Sequence, residues 1–201
     1  MIVGVLSPSM LGEVLIFLRS RLDAYLSARL GVVPGEPDQE KVVLLDGEKT
    51  DPIEFQLGAV TALLVNIEQE RIQRPPDRYY RSLPDGTTER VHPEIRMNLF
   101  VLFVAHFKQY EQGLSYLSLI IQYFQGHSVM DHTNSPELDS RIDKLLLELT
   151  TLSFSEQGEI WNGLRTSYLP SVLYRVGVLI FQDEDTLSGT EITEKVIRTS
   201  Q

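Results

Sequence analysis

The stretch Ile95–His106 reads IRMNLFVLFVAH, and its periodicity decides the fold class. Ile95, Met97, Leu99, Val101, Phe103 and Ala105 alternate with Arg96, Asn98, Phe100, Leu102, Val104 and His106. A two-residue period sends successive side chains to opposite faces of a strand. Both sets are apolar in the second half, so the spacing predicts a central strand covered on two faces. The apolar run Leu99–Ala105 is strand-sized, far short of the ~20 residues that span a bilayer.

Downstream, Tyr110, Leu114, Leu117, Ile121 and Phe124 step by four and three, which predicts a helix ended by Gly126. In HSVMDHTNSPELD the histidines read as exposed polar residues before a turn. A strand follows from about Arg141 to Thr150, with Leu145, Leu147 and Leu149 inward and Lys144 and Glu148 on the other face. Ser153 and Glu156 fit a capping box, introducing a short helix that carries Ile160, Trp161 and Leu164. Pro170 disfavours helix at Leu169, and VLYRVGVLIF makes the last strand. Trp161, the chain's one tryptophan, reads as a clamp between helix and sheet in preference to a ligand pocket.

Upstream, Ser7 or Ser9 caps a helix with Leu11, Leu15, Leu18, Leu22 and Tyr25 on one face, stopped at Gly31. KVVLL forms a short strand before the Asp46-Gly47 turn, and Asp51-Pro52 opens one helical turn. Val60–Ile72 reads as a strand, with Val60, Ala62 and Leu64 facing one way and Leu63, Val65 and Ile67 the other. Its charged far half should leave the core. Residues Gln73–Pro93 hold four prolines and read as a long loop or an extended hairpin arm. The element order lacks regular βαβ alternation, so the expected class is α+β: a mostly antiparallel sheet with packed helices. Residues 1–182 form one domain in this reading, and 183–201 an acidic polar tail.

Composition narrows function. The 201 residues carry a formal charge of -10, which disfavours nucleic acid as a partner. Without cysteine, disulfides, thiolate metal sites and cysteine nucleophiles are excluded. The N-terminus lacks the positive region of a signal peptide, so a protein folded in the cytoplasm, without membrane insertion, is expected.

Chemical motifs are scarce. His127 and His132 flank Asp131 in HSVMDH, but a separation of five does not converge on one ion without a loop. His92 is a loop residue and His106 closes a core strand. Glu68 and Glu70 share a strand face, as paired carboxylates in glycosidases do, yet a charged strand end is ordinarily solvated. No phosphate loop, dinucleotide fingerprint, zinc-protease motif or nucleophile elbow occurs. No catalytic, metal or cofactor-binding residue and no small-molecule substrate is therefore assigned. RPPDRYYR mixes basic and aromatic residues, and with the negative net charge it reads as a protein-contact loop.

Three ordered segments carry a resemblance: LVNIEQER, then NLFVLFVAHFKQYEQGLSYLSLIIQYFQG, then HTNSPELDSRIDKLLLELTTLSFSEQGEIWNGLRTSYLPSVLYRV. From about Leu11 to Phe181 the chain resembles the tail-terminator (cap) family of phage-tail-like contractile injection systems, headless extracellular particles of the antifeeding-prophage type. The resemblance implies a homohexameric ring that ends the inner tube, engages the last sheath layer and stops polymerisation. It implies fold-defining roles for Asn66, Glu68, Asn98, Trp161, Tyr168 and Pro170. The Gln73–Pro93 connection departs from the pattern, and Arg74, Arg78, Tyr79, Tyr80, Arg81 and Arg90 are its expected interface residues. The extra C-terminal domain of some longer relatives is not matched, so roles tied to it do not carry over. A terminator for a phage tail with a capsid, or a non-catalytic oligomeric adaptor, stay open as alternatives.

Overall fold

The computed structural model describes residues 10–30, 40–47, 53–70, 80–82, 88–90 and 96–180. In chain order they form α1 (Met10–Leu30), β1 (Val42–Leu44), β2 (Ala59–Gln69), β3 (Tyr80–Ser82), β4 (Thr88–Arg90) and β5 (Arg96–His106). After these come α2 (Tyr110–Gly126), β6 (Val129–Asp131), β7 (Ile142–Thr150), α3 (Phe154–Leu164) and β8 (Ser171–Ile180). The fold is α+β, as the element order implies.

Six strands make one sheet in the order β1-β2-β5-β8-β7-β6. All pairings are antiparallel except β1 with β2. β5 is interior, and its two alternating residue sets go to two different cores. Leu99, Val101, Phe103 and Ala105 join α1, α2 and the inward residues of β2, β7 and β8. Leu102 and Val104 join Phe55, Trp161 and Leu173 under α3. Apolar burial of this kind is the main stabilising term, at roughly 25 cal/mol per Å².

Both long helices dock on faces rotated from the expected stripes. In α1 the buried residues are Val14, Phe17, Leu18, Leu22 and Leu26, while Leu11, Leu15 and Tyr25 flank them. In α2 they include Tyr116, Leu117, Ile120, Tyr123 and Phe124, whereas Tyr110 and Leu114 are exposed. Asp23 fixes α1 on the sheet: its Oδ1 accepts from the Lys41 and Val42 amides at 2.5 and 3.0 Å.

β2 carries a β-bulge. Leu64 pairs with Val101 and Asn66 with Phe100, so Val65 is an extra residue. The bulge reverses the facing of everything beyond it. Ile67 therefore joins the face of Val60, Ala62 and Leu64, not that of Leu63 as strict alternation predicts. The charged end of β2 does leave the core: Asn66 to Gln69 are exposed. Gly58 enters the strand at φ 88°, a left-handed value that favours glycine, and its amide donates to His106 O.

Further readings are changed or narrowed. Val129–Asp131, within the polar stretch before the turn, is strand β6, because three residues pair with Lys144–Leu146. Leu149, expected inward, is 47% exposed near the end of β7. Asp51 and Pro52 lie outside the described residues, as do the caps Ser7 and Ser9 and the stop Gly31; Ile53 beyond the pair is a β-bridge, not helix. Within the Gln73–Pro93 connection, β3 and β4 pair antiparallel, with Tyr80 opposite Arg90, which selects the hairpin arm over the loop.

Candidate functional site

Among the described residues, the face of the sheet opposite α1 and α2 divides into a half covered by a helix and a half over which no element lies. α3 covers the half nearest the start of β8. Its entry is fixed locally: Ser153 Oγ accepts from the Glu156 amide, and the Glu156 carboxylate accepts from the Ser153 amide at 2.8 Å. That capping box draws the Glu156 carboxyl below its ordinary pKa, chiefly through the Ser153 backbone amide. Arg165 ends the helix in a left-handed conformation. Trp161 is buried, edge-on to Phe55 at 6.0 Å and to Tyr168 at 5.5 Å between ring centroids. Tyr168 itself is exposed, and Pro170 O accepts from the Ala105 amide at 2.9 Å. Trp161 thus fills the joint between α3 and the sheet.

The open half is polar. Register places Glu68 opposite Asn98, Asn98 opposite Gly177 and Gly177 opposite Leu146. The next row holds Asn66, Phe100, Arg175 and Glu148. Asn66 donates to Glu68 and Asn98 to Glu70, each at 3.2 Å, and Arg175 is paired with Glu148. Glu70, Asn98, Leu146, Glu148, Arg175 and Gly177 are among the residues that border a cleft of about 320 Å³.

Two connections leave the sheet at this same end. The Glu70 amide donates to Arg96 O at 2.9 Å, closing the base of the connection that contains β3 and β4. Arg96 pairs in turn with Leu179, one residue before β8 ends. Of the expected interface residues, Tyr80, Arg81 and Arg90 lie in the β3–β4 ribbon, while Arg74, Arg78 and Tyr79 fall outside the described residues. Sequence reading passed over Lys144, Leu146, Arg175 and Gly177 as a surface. The signal was present in VLYRVGVLIF, where Arg175 and Gly177 interrupt an apolar strand on one face.

The histidines are engaged locally. His127 stacks on Tyr123 with ring centroids 4.3 Å apart. His132 Nε2 lies 2.9 Å from Ile142 O, and His106 Nδ1 lies 2.8 Å from Phe55 O. Asp131 Oδ1 accepts from the Thr133 and Asn134 amides. Among the described residues no three His, Asp or Glu side chains are placed to hold a metal ion. His92 lies outside them. Asp139, hydrogen-bonded by Arg141, has its pKa lowered to about 2, and burial pushes Tyr174 up to about 12. Among the described residues no helix is long and apolar enough to cross a membrane.

Solved structures that share the fold include two that are described by their assemblies. One is the sheath/tube terminator, in the extended state, of the extracellular contractile injection system PVC. It superposes with TM-score 0.59 at 14% identity, covering 98% of this chain and 66% of that one. The other is the tube terminating cap of the anti-feeding prophage, with TM-score 0.54 at 13% identity over 92% of this chain and 60% of that one. The chain thus spans about two-thirds or less of the length of these structures. No curated protein sequence matches it. The family model of the Pvc16 N-terminal domain matches residues 13–195, nearly the whole sequence, and the chain therefore belongs to the Pvc16 N-terminal domain family.

Proposed function

We propose that the protein is the terminator, or cap, of a contractile injection system: a ring that ends the inner tube, engages the last sheath layer and stops polymerisation. One observation carries this reading. The fold agrees over 98% of the chain with that of a sheath/tube terminator, in a chain that belongs to the Pvc16 N-terminal domain family. The role is structural, without a reacting centre, cofactor or small-molecule substrate. Copies associate through two different surfaces whose rotation closes, because a non-closing contact of that type would grow as a filament. A homohexamer is the expected ring. A permanent interface of this class buries above ~2,000 Å².

In this reading the arm from Arg74 to Arg90 and the acidic C-terminal segment contact adjacent subunits, tube or sheath. Arg74, Arg78, Tyr79, Tyr80, Arg81 and Arg90 supply the arm's contacts, and the 1–182 domain holds its base. Assembly takes place in the cytoplasm as part of a phage-tail-like particle. Negative-stain imaging of particles from a producing strain that lacks the protein tests the reading. Tubes and sheaths of uncontrolled length, restored to uniformity by the intact protein, are expected. Uniform particles of normal length in its absence overturn it.

A further inference from the structure

Gly177 sits inside the sheet, paired with Asn98 on one side and Leu146 on the other. Glycine weakens a strand interior, so its place there asks for a reason. Two ordinary reasons fail. Its φ is not positive, and a Cβ added to it would stand 3.5 Å from Leu146 Cβ and 3.6 Å from Asn98 Oδ1, ordinary contact distances. Neither conformation nor internal crowding requires a glycine. The reason left is close approach of another main chain from outside, over the half of the face on which no described element lies.

Asn98 lies beneath that approach and is only 9% exposed. Its Nδ2 donates to the Glu70 carboxylate at 3.2 Å, and a carboxylate only accepts, so Oδ1 is the atom beside Gly177. Oδ1 accepts no hydrogen bond among the described residues, and a buried acceptor without a donor is costly. In the same row Leu146 and Val129 stand opposite each other, 46% and 43% exposed. Lys144 follows on the same face of β7 and makes no ion pair among the described residues. The acids around it are engaged: Glu148 by Arg175, Glu70 by Asn98, and Asp131 by the Thr133 and Asn134 amides.

We propose that the trough at Gly177 is a docking site for an extended segment of a second protein, whose main chain crosses the sheet there. One of its amides donates to Asn98 Oδ1, an aliphatic side chain covers Leu146 and Val129, and a nearby carboxylate meets Lys144. Glycine leaves room for a backbone, and a backbone brings the donor that Asn98 lacks. The proposal rests on the terminator reading for the source of that protein, which is the polymer being capped.

Overlapping short peptides that cover the tube and sheath proteins made with this chain, and the chain itself, are titrated against the full-length protein by fluorescence anisotropy. Tube or sheath peptides with Asp or Glu close to Leu, Ile or Val should bind. Gly177→Ala should weaken them at least tenfold while melting at or above the parent. Lys144→Gln should weaken them several-fold. Exchanging the peptide's carboxylate for its amide should do the same, with no further loss when the two changes are combined. No binding by any tube or sheath peptide, binding by the chain's own peptides alone, or equal affinity for Gly177→Ala overturns the proposal. So does a Gly177→Ala variant that melts well below the parent, because the glycine then serves the sheet itself. The terminator reading is judged separately, by particle length in the strain that lacks the protein.

Discussion

Glu68 stands opposite Asn98 in the β2–β5 ladder because Val65 is an extra residue. Counted by strict alternation from Val60, Glu68 would share the buried face with Ala62 and Leu64. The bulge turns it, with Asn66, onto the open half of the other face. Deleting Val65 is therefore a mild change: Leu64 and Asn66 keep their partners, and every facing is preserved. The expected loss is about 1–2 kcal/mol from Val65 packing against the Trp161 cluster. Deleting Ala62 instead reverses residues on one side of the cut and should abolish folding. Circular dichroism melts of the two deletions check this, and similar behaviour of both would contradict the bulge.

Thr61 is 1% exposed, and its Oγ1 has no hydrogen-bond partner among the described residues. A buried hydroxyl without a partner costs about 1–3 kcal/mol relative to water. Thr61→Val replaces it with a methyl of similar shape at a strand position that suits β-branched residues. The expected outcome is a gain of about 1 kcal/mol, or roughly 2–4 °C in Tm. Urea titration measures it; an unchanged or lower midpoint means that the hydroxyl has a partner.

Trp161 is the buried side chain of α3, packed against Phe55, Leu102, Val104 and Leu173. Trp161→Ala should cost about 3–5 kcal/mol, the range for emptying a large aromatic site in a core. Trp161→Phe should cost clearly less, since the contact with Phe55 survives in part. Chemical denaturation followed by circular dichroism separates them. Equal effects would mean that the ring's size contributes little.

What was legible in the sequence was local. β5 announces itself because both of its alternating sets are apolar, and Ser153 with Glu156 caps α3 through contacts three residues apart. The docking angles were not legible. α2 has apolar residues around much of its circumference, so Tyr110 and Leu114 fit a helical stripe as well as Tyr116 and Ile120 do. Only β5 and α1 choose between them. Strand β6 is three residues held by β7, and no local pattern encodes such a pairing. At the site, Asn66, Glu68 and Asn98 stood out as residues, but their shared surface depends on the Val65 bulge and on α3 stopping short. Both are properties of tertiary packing.

Arg141 clamps Asp139 through two hydrogen bonds, 2.9 Å from Nε to Oδ1 and 2.7 Å from Nη2 to Oδ2. The Asp139 pKa falls from 3.8 to about 2, first through the side-chain bonds to Arg141. A depressed folded pKa stabilises fully above the unfolded value, and that stability is lost as pH falls through the folded one. The window is therefore from about pH 4 down to about 2. Arg141 is 45% exposed, so solvent screening keeps the effect below about 1 kcal/mol. Asp139→Asn should lower stability by that much at pH 7 and by nothing near pH 2. A difference that persists at pH 2 would point to packing, not charge.

The arm is attached where removal is structurally cheap. Gln69 pairs with Met97 and the Glu70 amide bonds Arg96 O, so the base stays closed without what lies between. Replacing Arg74–Arg90 by a short glycine-rich turn also shortens the loop, and loop length enters stability only logarithmically. Tm should stay within about 3 °C of the parent, corresponding to ~1 kcal/mol. Capping should nevertheless fail, because Tyr80, Arg81 and Arg90 are removed from the proposed contact while the sheet that carries them stays folded. Light scattering of the purified variant and imaging of particle ends read the two halves of the prediction separately. A folded variant that still gives uniform particle ends would remove the arm from the interface and leave the open half of the sheet as the surface to test next.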